Sequence, residues 1–288
     1  MKRALLLLAL PLALLTGCGG GDTFAVDAVA QAADKTAAQK SARFEMSMQM
    51  TMPGVEQQVR LFATGGIDYA NEAARVDMDF GDLARAMGAP QGGAMKISMI
   101  FDSPLLYMKL PAEMSGAGAP PTPWLSVDLT KATGVDLGQL SQFSQNPADQ
   151  LEMLRAASDD VEERGEKTVR GVHTTHFHAT LNVQKSLDDG LKNLPEEDRE
   201  KTRQALEAMV EQSGLDEIPV DVYLDDAGVL RRMIVDMEMD VAEQGEKVRM
   251  VMTMDMFDFG TPVDATPPPA SQVTDVTAQM AGQLQPSG

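Results

Sequence analysis

Between Val229 and Phe259 the chain alternates apolar and polar residues with a regularity that few folds accommodate. Val229, Met233, Val235, Met237, Met239 and Val241 occupy one set of alternate positions, interrupted only by Arg231, while Arg232, Asp236, Glu238 and Asp240 occupy the other. After Ala242-Glu243-Gln244-Gly245 the pattern resumes, with Val248, Met250, Met252, Met254 and Met256 set against Lys247, Arg249, Thr253 and Asp255. Successive side chains of a strand point to opposite faces, so the spacing predicts a half-buried antiparallel hairpin.

The choice of methionine is unusual. Strand interiors favour β-branched and aromatic residues, which suit a rigidly packed pleated surface, whereas methionine is unbranched and pliable. The same habit recurs at Phe44, Met46, Met48, Met50 and Met52, and at Met95, Ile97, Met99 and Phe101. A sheet face paved with thioethers fits either a loosely packed core or the wall of a cavity that adapts to apolar guests.

Elsewhere the chain alternates between strand and helix patterns. Phe24 to Lys40 carries small apolar residues at helical spacing, and Ala42 to Met52, a turn at Pro53-Gly54, and Val55 to Thr64 read as a hairpin. Gly65-Gly66 is expected to open another, with Ile67 to Tyr69 and Arg75 to Phe80 flanking Asn71. Asp82 to Gly93 reads as an insertion or short helix, and Met95 to Phe101, Leu105 to Leu110 and Trp124 to Asp128 as strands. Val135 to Phe143, Pro147 to Ala157 and Pro195 to Gln212 have helical spacing, while Val161 to Val169, Val172 to Val183 and Ile218 to Leu224 read as strands. Asp225-Asp226-Ala227-Gly228 sits where a hairpin needs a turn. The order predicts an α+β domain with one long antiparallel sheet and helices gathered on one face.

The two ends read differently. Lys2 and Arg3, an apolar run from Leu5 to Leu15, and Thr16-Gly17 before Cys18 have the layout of a secretory signal over residues 1–17. The run is too short to span a bilayer comfortably. Residues 18–23 then form a flexible tether, and 24–259 the folded body. Residues 260–288 contain Pro262, Pro267, Pro268, Pro269 and Pro286 among small polar residues, a composition expected of a disordered tail. The single cysteine leaves no intramolecular disulfide to form.

A formal net charge of -19 repels phosphate backbones and anionic headgroups, which argues against nucleic-acid binding and charge-driven membrane docking. All three histidines fall in one strand, where His176 and His178 share a face and His173 takes the other, so at most two converge on a metal. Thioethers suit Cu(I), but strict alternation with polar residues reads as sheet packing. No nucleophile elbow, Walker loop or dinucleotide fingerprint is present, and neither an enzyme nor a cofactor is expected.

Leu15-Thr16-Gly17-Cys18 resembles the bacterial lipoprotein box, in which the cysteine is acylated and begins the mature protein. Leu106-Tyr107-Met108-Lys109, Trp124-Leu125-Ser126-Val127-Asp128, Gly171-Val172-His173-Thr174-Thr175-His176-Phe177 and Tyr223-Leu224-Asp225-Asp226-Ala227-Gly228 together resemble the LppX/LprG type of cell-envelope lipoproteins and, more distantly, the LolA/LolB carriers. The resemblance covers most of the body, and its motifs specify a fold better than an activity.

It implies a strongly curved half-barrel sheet closed by helices on its concave face, around an apolar cavity that receives acyl chains of an envelope lipid or lipidated glycoconjugate. It also implies a location at the cell membrane, anchored through lipidated Cys18 and facing the periplasm or the extracellular side, with more than one acyl chain making that anchor stable. The expected lining is Phe44, Met46, Met48, Met50, Met233, Val235, Met237, Met239, Met250, Met252 and Met254. Two other readings of the same residues stand beside the carrier: a ligand-free scaffold or sensor using the acidic outer surface, and a Cu(I)-binding lipoprotein.

Overall fold

The computed structural model describes residues 21–51, 58–86, 95–109, 111, 123–133, 161–191, 213–241 and 246–284, with 199, 200, 203, 204, 207 and 210. Its centre is the long hairpin, formed by β10 (Leu230–Val241) and β11 (Glu246–Phe257). On one side β11 pairs with β1 (Ser41–Thr51), followed by β2 (Val59–Asp68), β3 (Ala73–Asp79), β4 (Lys96–Asp102), β5 (Leu105–Lys109) and β6 (Trp124–Asp128). On the other side β10 pairs with β9 (Glu217–Asp225), followed by β8 (Val172–Asn182) and β7 (Val161–Val169). All these neighbours are antiparallel.

A twelfth strand, β12 (Val273–Asp275), adds to β6 in parallel and makes the sheet mixed. The sheet is open, with β12 at one end and β7 at the other. Strand twist accumulates across neighbours, so an open sheet of this width curls rather than lying flat.

Helix α1 (Gly21–Ala37) packs against β7, β9 and β10 and sends Val29, Ala32 and Ala33 into the main core. Its Thr36 hydroxyl donates to the Ala32 carbonyl at 2.6 Å and accepts the Leu230 amide at 3.0 Å, pinning the helix to the start of β10. The other helices fully within the described residues are short: α2 (Gly81–Ala86) rests on β2, α3 (Leu129–Thr133) follows β6, α4 (Val183–Leu191) follows β8, and α5 (Thr277–Leu284) packs on α3 and β6.

Three expectations are corrected. Residues 260–284 are no disordered tail: Ser41 Oγ donates to the Thr261 carbonyl at 2.7 Å, Val263 packs over Gly66, and β12 and α5 complete the edge at β6. The folded body therefore runs past Phe259. Gly65-Gly66 does not begin a new strand but lies inside β2, opposite Phe44 and Arg43 of β1, while the expected turn around Asn71 is present at residues 69–72, joining β2 to β3. Val183 belongs to α4, a helix the strand pattern concealed; the Asn182 side chain accepts the Lys185 amide at 2.8 Å and starts it. The expected signal, Cys18 and the helices at 135–143 and 147–157 lie outside the described residues, as does most of that at 195–212.

Candidate functional site

Cross-strand register decides which residues share a face. Met46 stands opposite Met254, which stands opposite Met233; Met48 opposite Met252 and then Val235; Met50 opposite Met250 and then Met237. Phe44 faces Met256, and Met239 faces Val248. All eleven expected lining residues therefore occupy one face of three adjacent strands, with directly opposed Cβ atoms about 5 Å apart. The rows continue outward: Met46 meets Ala63, Met78 and Ile97, while Met233 meets Val222 and Phe177.

Burial along this face is graded. Phe44, Met233, Met254 and Met256 are buried in the core beneath α1, with Val222 and Phe177. Met46, Val235 and Met252 are half-buried against that core. Met48, Met50, Met237, Met239 and Met250 are half-buried and stand outside it among the described residues. The face thus passes from a packed floor to a run of five thioethers that nothing in the core seals. Sequence alternation shows the shared face; the gradient depends on where α1 sits.

The opposite face of the hairpin is ionic. Arg232 donates two hydrogen bonds to Asp255, at 2.5 and 2.7 Å, and this partly buried pairing raises the guanidinium pKa further. Arg170 adds a 2.7 Å bond to Glu45 and lies 4.0 Å from the Phe257 ring centroid. Arg249 grips Asp236 and holds its carboxyl below the usual range, while Lys247 reaches Glu238 at 2.6 Å. A one-residue slip would turn these charges onto the methionine side, so the two faces fix each other's register. Arg231, the one interruption of the alternation, sits at an irregularity between Leu230 and Arg232, donates to Asp225 at 2.8 Å and covers the Phe259 ring.

A cleft of about 450 Å³ also opens on this ionic face, beneath Pro262, Val263 and Asp264 and lined by Arg43, Glu45, Thr64, Arg75 and Asp77. Phe44 of the methionine face also borders it, beside Gly65 and Gly66, and its charges pair locally, Arg75 with Asp77 at 3.3 Å and Glu45 with Arg170.

The histidines divide as their parity predicts. His176 Nε2 and His178 Nδ1 approach the same Asp221 oxygen at 2.7 and 3.0 Å, and the His176 ring stacks on Tyr223. Burial, then the Asp221 charge, pushes the Tyr223 phenol up. His173 lies instead between Asp226 and Glu166, which raise its pKa in that order. Among the described residues no three histidine, cysteine, aspartate or glutamate side chains are grouped to hold a metal ion. Asp225 acts as a turn residue: its carboxylate accepts the amides of Ala227 and Val229 at 3.0 and 2.9 Å, and Gly228 takes a φ of 78°.

No protein-family model matches the sequence, and no curated protein matches it. Solved structures similar to this one include the lipoprotein LppX of Mycobacterium tuberculosis, with a TM-score of 0.48 at 12% identity over 85% of this chain and 99% of that one. LprF of Mycobacterium bovis is similar at a TM-score of 0.47 and 12% identity, over 87% and 99% of the two chains. A LolA superfamily protein of Nitrosomonas europaea is similar at a TM-score of 0.28 and 8% identity, over 83% and 93%.

Proposed function

We propose that the chain is an envelope lipoprotein, anchored through acylated Cys18, that shields the acyl chains of an amphipathic lipid against its methionine face and carries that lipid between envelope layers. The supporting observation is the graded face itself: a packed floor at Met233, Met254 and Met256 continuing into five half-buried thioethers. A filled core would be expected to hold rigid, branched residues where this chain holds pliable ones. Pliable thioethers accept tails of different length and branching. Removing about ten methylenes from water gains about 8 kcal/mol, enough to bind after several kcal/mol of association and ordering costs.

Native mass spectrometry of the exported chain carrying Cys18→Ser, incubated with long-chain lipid, tests this reading. A stoichiometric lipid adduct is expected. Met237→Asp and Met252→Asp place a carboxylate on the apolar face and are expected to abolish the adduct with the far-ultraviolet dichroism of the sheet retained. Wild-type protein that carries no lipid under these conditions would contradict the carrier reading and favour the scaffold.

A further inference from the structure

The loose end of the methionine face has a chemical property that leucine or valine would not give it. Met48, Met50, Met237, Met239 and Met250 lie on three neighbouring strands, and Met250 stands directly opposite Met50 on one side and Met237 on the other. Each is half-buried, whereas Met233, Met254 and Met256 on the same face are 3%, 5% and 1% exposed. Thioethers oxidise where an oxidant reaches the sulfur, and the product is a polar, chiral sulfoxide.

We infer that these five methionines form an oxidation-sensitive site whose conversion to sulfoxides closes the face to apolar chains; the functional half of the inference rests on the carrier reading above. In each step a sulfur lone pair attacks one peroxide oxygen, the O–O bond breaks, and the departing hydroxide takes a proton to leave as water. Sulfur is oxidised by two electrons and hydrogen peroxide reduced by two. The reverse step needs a dithiol, which removes the oxygen as water and becomes a disulfide, the chemistry of methionine sulfoxide reductases.

Position explains why the chemistry is confined. The ladder's floor is sealed beneath α1, so oxidation there requires unfolding, while at the loose end it requires only access. Across the face the neighbours of the five sulfurs are apolar: Met48 lies beside Leu61, Met50 beside Val59 and Met239 beside Val248. None of these side chains supplies a donor to a sulfoxide oxygen, so each new S=O dipole remains wet and excludes an acyl chain.

The test treats the full chain carrying Cys18→Ser with dilute hydrogen peroxide and follows each methionine by peptide mass spectrometry. Met280, 37% exposed on α5, gives the rate of a surface methionine for comparison. The five loose methionines should oxidise at least about tenfold faster than Met233, Met254 and Met256, in keeping with access rather than unfolding. Uptake of a fluorescent long-chain fatty acid should then fall at least about tenfold and return on treatment with methionine sulfoxide reductases and dithiothreitol. In a chain with all five replaced by leucine, the ratio of uptake after peroxide to uptake before it should stay near one, whatever the replacement does to uptake itself. Equal rates at buried and loose positions would overturn the site, and graded oxidation that leaves uptake unchanged would overturn its effect. Untreated protein that takes up no fatty acid would instead remove the carrier reading, and the oxidation rates would still decide the site.

Discussion

Asp236 and Arg249 brace the loose end of the hairpin from its ionic side, with a 2.9 Å bond from Nε to Oδ1. Because Arg249 lowers the folded-state pKa of Asp236 below its ordinary 3.8, the pair's contribution is fully present above that value and is lost as pH falls through the lowered one. Arg249 is exposed, so solvent screening keeps the pair's contribution small. Urea unfolding should therefore show Asp236→Asn slightly less stable than wild type at neutral pH, with the difference vanishing in acid. Gly65 illustrates the opposite kind of residue, one chosen for what it lacks. A Cβ there would lie 2.2 Å from the Arg75 carbonyl oxygen and 2.6 Å from the Phe44 ring. Gly65→Ala is expected to cost about 3 kcal/mol in unfolding free energy, as overpacking against backbone does. A cost near zero would mean that the Phe44 ring does not lie over this position.

Among the elements, the sheet's two edges are protected by different means. β7 presents Glu162, Glu163, Arg164, Glu166 and Lys167 and is irregular between Glu163 and Gly165, devices that discourage pairing with another chain. The other edge is covered by the chain's own C-terminal segment. Thr277 Oγ1 accepts the Asp128 amide at 2.9 Å, and the Val276 amide donates to the Ser126 carbonyl, so the junction of β12 and α5 is tied to β6 just after Asp275. Thr277→Ala should cost about 1 kcal/mol, and hydrogen exchange should report the loss at the Asp128 amide. Equal protection there in wild type and variant would contradict the assigned bond. This edge shows why part of the fold was hidden in the sequence. Proline and small polar residues between 260 and 288 have the composition of disorder, and the order of 260–284 comes from docking on Ser41, Gly66 and β6, which no local pattern encodes. The hairpin was legible because alternation is itself local. Helix α4 had a readable signal, Asn182 before Val183, masked by a strand alternation that ran into it.

At the scale of the molecule, the lining residues could be placed on one face by counting alternate positions, and register agrees throughout. Their unequal burial could not be read this way, since it depends on α1 reaching across to β9 and β10 from far upstream. The same arrangement lets one sheet be a stable body and, on the proposed reading, a receptive surface. The covered end carries the tight packing, and the other end leaves pliable side chains at its margin. The net charge of -19 fits the proposed carrier, whose outer surface would avoid anionic headgroups and leave attachment to the proposed anchor at Cys18.

Photo-crosslinking tests the central claim most directly. A long-chain fatty acid bearing a diazirine along its tail, bound to the folded chain and irradiated, should attach at Met48, Met50, Met237, Met239 or Met250. Crosslinks confined to the ionic face or to the cleft beneath Val263, with none on these methionines, would contradict it.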